Sequence, residues 1–281
     1  MYKRYFLRIA YDGTNYHGWQ NQPNGITVQE VIEKWLAKIL HVPRVVTTGC
    51  GRTDAGVHAK DFYLHFNPEV EDLDIEQTMF RLGHVLPKDI AAYDLFPVHE
   101  NAHTRFDAVE RSYEYHMHYV RSPFYKDFST YCNYRLDIDK MNEAAKYLIK
   151  HGDFASFSRT GGGQKTSICD VRAAYWEQNG ERLIFHITAD RFLRNMVRAV
   201  VGTLMDVGRN KISIEQFGEI VELADRNKAG DSARPEGLHL SKIVYPYIDE
   251  NGYDIDKAVK STTFSNFDRS VKNTSEEDKE E

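Results

Sequence analysis

VRAAYWEQNGERLIFHIT, residues 171–188, sets two strand-forming runs on either side of Asn179-Gly180. An Asn-Gly pair in that setting is the strongest short hairpin signal in the chain, because both residues accept the positive φ that a tight β-turn needs. Before the hairpin, RSYEYHMHYV (111–120) alternates tyrosines and histidines as a strand does, and DKMNEAAKYLIK (139–150) reads as a helix. After it come a helix over RFLRNMVRAVVGTLMDVG (191–208), a helix around IEQFGEIVELA (214–224) and a strand near LHLSKIVYPYI (238–248). The order is roughly β-α-β-β-α-β.

The N-terminal part gives the same order. YFLRIAYDG (5–13) is strand-like, and Thr27 with Glu30 predicts a capping box ahead of VQEVIEKWLAKIL (28–40), where Val28, Val31, Ile32, Trp35, Leu36 and Ile39 recur at helical spacing. Then follow the β-prone RVVTT (44–48), the alternating DFYLHF (61–66), the helical IEQTMFRLGHVL (75–86) and the strand IAAYDLF (90–96). Two copies of one pattern predict an α+β fold of two tandem ferredoxin-like halves, residues 1–104 and 105–248. Each half is a mostly antiparallel sheet with helices packed on one face, and a catalytic cleft lies between them. Residues 249–281 form an extension whose end, TSEEDKEE (274–281), is acidic and expected to be disordered.

Bulk properties exclude several classes. With 281 residues, 41% hydrophobic and 28% charged, the chain can bury a sizeable core, and it has no apolar run long enough to span a bilayer. The N-terminus lacks a secretion signal. Cys50, Cys132 and Cys169 are odd in number and far apart, which argues against a disulfide framework or a zinc knuckle and suits a reducing cytoplasm. The net charge of −6 owes −4 to the acidic tail, so a basic RNA-binding face is compatible with it.

GCGRTDAGVHAK (49–60) places Asp54 in a glycine-rich turn two residues after Arg52. Gly49, Gly51 and Gly56 permit tight bending, and a strand on each side would hold the turn still. Other motifs fail their tests. AYDGT (10–14) has alanine where an aspartate phosphatase needs its nucleophile, GGGQKTS (161–167) lacks the glycine that precedes a phosphate-loop lysine, and the twelve histidines show no metal-ligand spacing. Arg191, Arg194 and Arg198 fall at i, i+3 and i+7, which predicts one basic helix face suited to phosphates or a carboxylate.

Taken together, YDGTNYHGWQNQP, TVQEVIEKWL, GRTDAGVHA, RFDAVERSYEYHM, RFLRNMVRAVVGTL and PEGLHL resemble, in order, the tRNA pseudouridine synthase A family over about residues 4 to 247. The likeness departs at ARPEGL, where the family usually has an Ala-Pro pair, and at the acidic tail. The resemblance implies that Asp54 is the catalytic aspartate, Arg52 a cation that helps displace the target base, Tyr113 the aromatic residue at that base and Arg198 the partner of Asp54. It leaves Arg191 and Arg194 for the RNA backbone and Leu238 as a substrate contact. It further implies a cytoplasmic homodimer acting on the anticodon stem-loop of tRNA at uridines 38 to 40, with no cofactor, metal or membrane. The chemistry agrees: the N1–C1′ bond must break, the uracil turn and rejoin through C5, and an ionised carboxylate could attack C1′ or C6 or take the C2′ proton. A related synthase with another RNA target and a non-catalytic RNA-binding module are the other readings.

Overall fold

The computed structural model describes residues 3–70, 72–159, 166–249, 252–254 and 256–257. Most of GGGQKTS and the whole acidic tail lie outside the described residues.

Four strands and two helices form the N-terminal part in the expected order: β1 (Arg4–Tyr11), α1 (Val28–Leu40), β2 (Thr48–Gly49), β3 (His58–Phe66), α2 (Ile75–Val85) and β4 (Ile90–Val98); β5 (Glu110–His118) then opens the C-terminal part. Val28, Ile32, Leu36 and Ile39 are the buried stripe of α1. Its cap is half of the predicted box: Thr27 Oγ1 accepts from the Glu30 amide, while a complete box forms instead at Ser213 and Gln216. The strand predicted at 44–48 shrinks to Thr48–Gly49 because helix α1 takes its hydrogen-bonding groups. The Glu33 carboxylate accepts from the Thr47 amide at 2.8 Å and Gln29 Nε2 donates to the Thr47 carbonyl at 2.9 Å.

The remaining elements are β6 (Thr130–Tyr131), α3 (Ile138–Ala145), β7 (His151–Asp153), β8 (Ile168–Asn179), β9 (Arg182–Ala189), α4 (Met196–Gly208), α5 (Ile214–Glu222), β10 (Leu238–Val244), β11 (Ile248–Asp249) and β12 (Gly252–Tyr253). The hairpin forms with its turn one residue later than read: Asn179 ends β8 opposite Arg182, and the two-residue turn is Gly180-Glu181, with Gly180 at φ 58°. One prediction needs correction. The helix read over 191–208 starts at Met196, because Asn195 takes φ 66° and cannot belong to a right-handed helix. The Arg194 carbonyl bonds the Arg159 amide instead of a helical partner. Arg191 and Arg194 therefore do not share a helix face with Arg198.

Ten strands make one mostly antiparallel sheet in the order β4-β1-β3-β10-β5-β9-β8-β7, with β2 on β3 and β6 on β5, and the helices lie on one face. β10 is the join: it runs parallel to β3 at His239–His58 and Leu240–Ala59, and antiparallel to β5. Two buried cores lie along this sheet. One gathers β1, β3, α1 and the later part of β10, the other α3, α4, α5, β8 and β9, and Tyr113 packs against both.

Burial sets the acid limit of this fold. His65 and His239 are buried, and their pKa values are held down to about 3, chiefly by burial and then by neighbouring cations and imidazoles. A depressed histidine stabilises the fold fully above the ordinary value near 6.5 and loses that contribution as pH falls towards 3. Stability should thus decline below about pH 6.5, by up to about 1.4 kcal/mol per pH unit per group. Melting midpoints across pH check this, and NMR should find two imidazoles that do not titrate between pH 5 and 8. Ordinary titration of all twelve histidines would refute it.

Candidate active site

Asp54 lies in the turn between β2 and β3, and that turn rests on the segment after β1. Tyr11 and Thr53 share a hydroxyl hydrogen bond of 2.8 Å, the Trp19 amide donates to the Thr53 carbonyl at 3.3 Å, and the Gly56 amide donates to the Tyr16 carbonyl at 3.3 Å. Within the turn the Val57 amide closes onto the Asp54 carbonyl at 3.2 Å. Gly18 makes this contact possible: it takes φ 85°, and a Cβ there would collide with the Thr53 carbonyl. Gly56 also takes a positive φ of 76°. The motif YDGTNYHGW is thus the bed on which the aspartate turn lies.

Arg198, in the first turn of α4, reaches Asp54 across 144 residues of sequence. Its Nη1 donates to Asp54 Oδ2 at 3.3 Å, and its Nε donates to the Ala233 carbonyl at 2.7 Å. The guanidinium therefore divides between a carboxylate and a carbonyl instead of gripping the carboxylate with both arms. The Ala233 amide returns a bond to the Arg198 carbonyl at 2.9 Å. Gly202, one turn further along α4, lets this strap approach, since a Cβ there would strike the Asp231 carbonyl. The Asp54 and Arg198 side chains are 35% and 19% exposed, so the pair is reachable but only partly solvated.

Tyr113 on β5 meets Phe192 edge-on with ring centres 5.1 Å apart. Burial pushes its phenol pKa well above the ordinary value; Cys50 and Asp54 add to the shift and Arg111 opposes it. The hydroxyl therefore stays protonated at neutral pH, as a hydrogen-bonding and stacking group and not as a phenolate base.

The other sequence candidates are placed differently. Arg52 is exposed two residues before Asp54, and Arg194 is exposed in the turn before α4. Arg191 is half-buried, its amide donating to Asp190 Oδ1 at 2.7 Å. Leu238 opens β10 and is buried in the C-terminal core, 6% exposed. Arg111 escaped the sequence reading. Its guanidinium donates to the carbonyls of Ala108, Asp190, Cys50 and Arg105, at 3.2, 2.7, 3.3 and 2.6 Å. The only signal was an arginine opening an otherwise aromatic strand.

Among the described residues no group of three or more His, Cys, Asp or Glu side chains is arranged to hold a metal, and no helix is long and apolar enough to cross a membrane. An open depression of about 530 Å³, lined by Arg8, Lys60, Glu114, Tyr175 and His186 among others, includes neither Asp54 nor Arg198.

The contact at Gly202 is testable without any assay of function. Gly202→Ala should force the 231–233 strap off α4 and lower the unfolding free energy by about 1–3 kcal/mol, the usual cost of overpacking. Urea denaturation measures this. An unchanged midpoint would mean that the strap does not pack there.

Residues 144–246 match the sequence family described as tRNA pseudouridine synthase. Three curated proteins named tRNA pseudouridine synthase A are similar over nearly their whole lengths. The one from Bacteroides fragilis is 48% identical over 245 residues, covering 87% of this chain and 97% of the relative. That from Parabacteroides distasonis is 46% identical, covering 87% and 96%, and that from Clostridium acetobutylicum 39% identical, covering 85% and 98%.

Proposed function

We propose, from the premise that this chain belongs to the tRNA pseudouridine synthase A family, that Asp54 is the catalytic aspartate of a synthase acting on uridines 38 to 40 of the tRNA anticodon stem-loop. As a family member the chain is an isomerase that converts uridine in tRNA to pseudouridine. One observation carries the proposal: Asp54, the acid of the glycine turn, is paired with Arg198 at 3.3 Å from the other end of the chain.

In this reading the target uridine leaves the helical stack, at a cost of a few kcal/mol that is offset in part when Arg52 fills the space it vacates. Asp54 then acts on the flipped nucleotide. The N1–C1′ bond breaks, the free uracil turns, the C5–C1′ bond forms, and the C5 proton is lost while N1 gains one, so the reaction balances without an oxidant or cofactor. Tyr113 stacks on the base as a neutral phenol, and Arg198 stabilises the charge that changes on Asp54. Arg191 and Arg194 serve the RNA backbone, now as loop residues, and Leu238 is a substrate contact.

The architecture belongs to the same reading. Two tandem ferredoxin-like halves, residues 1–104 and 105–248, are supported by one strand plan used twice: β4-β1-β3 with β2 on β3, and β10-β5-β9-β8. The cleft falls between them at Tyr113, and 249–281 is an extension. A cytoplasmic homodimer without metal completes the proposal, on the family resemblance.

Asp54→Asn is nearly isosteric. It should bind tRNA about as tightly as the unaltered protein while the release of tritium from 5-labelled uridine falls at least about 1,000-fold, as for loss of a group that acts chemically. Comparable release by the variant would show that another group does the chemistry. Mapping of pseudouridine in tRNA treated with the unaltered protein tests the position separately, and modification confined to another arm or another RNA would favour a related synthase.

A similar split should appear at Arg198. Arg198→Lys keeps the charge but cannot hold both the Ala233 carbonyl and the Asp54 carboxylate in one planar fork. Single-turnover rates at saturating tRNA should drop about 10- to 100-fold, with a smaller change in affinity. An effect on affinity alone would remove Arg198 from the chemistry.

A further inference from the structure

Arg111 spends its guanidinium on main-chain carbonyls, and those carbonyls belong to three segments distant in sequence: Cys50, Arg105 with Ala108, and Asp190. At or within two residues of each gripped segment stands another arginine, namely Arg52, Arg105 and Arg191. One part-buried fork thus ties together the backbone of three arginine-bearing segments. None of those three forms an ion pair among the described residues. The carboxylates closest in sequence are engaged elsewhere. Asp190 Oδ1 accepts from the amides of Asp170 and Arg191, Asp107 Oδ2 accepts from the Tyr247 hydroxyl and the His103 amide, and Asp54 faces Arg198.

Like charges held together without a counter-charge repel, and the repulsion registers on Arg105. Its pKa is lowered by partial burial and then by Arg52, Arg111 and Arg191 in turn. Arg105 remains exposed at the surface, its guanidinium carbon 5.8 Å from the ring centre of Phe106, which stacks in turn near His103 with ring centres 4.2 Å apart. Such a cluster is stabilised by an anion that can face several guanidiniums at once, and a phosphodiester meets that need.

We propose that Arg105, with Arg191 and flanked by Arg52, forms a phosphate subsite beside the Asp54 turn that holds the RNA backbone next to the reacting nucleotide, and that Arg111 is the positioning residue that assembles it. The inference rests on the reading of this chain as an RNA-modifying enzyme and adds Arg105 to its binding surface. The subsite works by charge and reach, not by base readout. It therefore holds the strand on either side of an extruded base whatever the neighbouring sequence.

The test uses the full-length protein and a tRNA transcript, with dissociation constants measured across a sodium chloride series. Arg105→Gln should weaken binding about 5- to 10-fold near 0.1 M salt and make the logarithmic salt dependence shallower by about one unit, the signature of one lost phosphate contact. Arg105→Lys, which keeps the charge and safeguards the test if the glutamine variant folds poorly, should retain most of the slope. Anticodon-arm RNAs carrying single neutral methylphosphonate linkages locate the contact: the unaltered protein should lose affinity at one linkage near the target, and Arg105→Gln should be indifferent to that linkage. If a folded Arg105→Gln keeps the original slope and linkage profile, the subsite is overturned, while tritium release by the unaltered protein leaves the assignment of Asp54 standing. If the unaltered protein neither binds nor modifies tRNA, that assignment and the subsite fall together.

Discussion

The insertion of β10 between β3 and β5 is the constraint from which the rest of the molecule follows. Strands contributed by residues 4–98 and by residues 110–189 would otherwise be two separate sheets, each with an open edge. β10 closes both edges at once. Only two register pairs join it to β3, yet they fall at His58 and Ala59, directly after the turn that carries Asp54. Its opening residue, Leu238, belongs to the C-terminal core, whereas Leu240 and Ile243 belong to the N-terminal one. The same strand therefore fixes where the aspartate turn stands relative to α4, and so brings Arg198 within reach of it.

Around this seam the arginines divide their work according to what takes their donors. A partly desolvated guanidinium without partners is costly, and Arg111 escapes that cost because four carbonyls take its donors. Arg198, also part-buried, gives one donor to main chain and one to Asp54, so the main-chain bond aims the other arm. The arginines at the surface keep their donors available. In the proposed mechanism that division separates a structural, a catalytic and a substrate-binding role.

The regular elements were legible because periodicity and capping act locally. α1 begins and ends as VQEVIEKWLAKIL predicts, and the Asn-Gly hairpin forms within a residue of its expected place. The failures occurred where long-range partners overruled local preference. RVVTT is β-prone, but Glu33 and Gln29 from α1 take the backbone groups of Thr47 that a strand would have paired. RFLRN fits a helical face, but Asn195 turns left-handed, beside Ser232, whose hydroxyl is 2.6 Å from its side-chain amide. Of the site, Asp54, Tyr113 and Arg198 were accessible through the family's motifs. The grip of Arg111 was not, since each of its acceptors is a carbonyl, and every residue type presents one.

The seam strand also comes late in the chain. During synthesis the N-terminal strands emerge long before residues 238–244, so the His58–Ala59 stretch of β3 that receives β10 must wait for its partner strand while some 170 residues are added. Until then Asp54 has no Arg198 beside it, and the nascent chain carries a turn but not a site. In the proposed mechanism, chemistry on RNA is thereby withheld from incomplete chains by the order of translation itself.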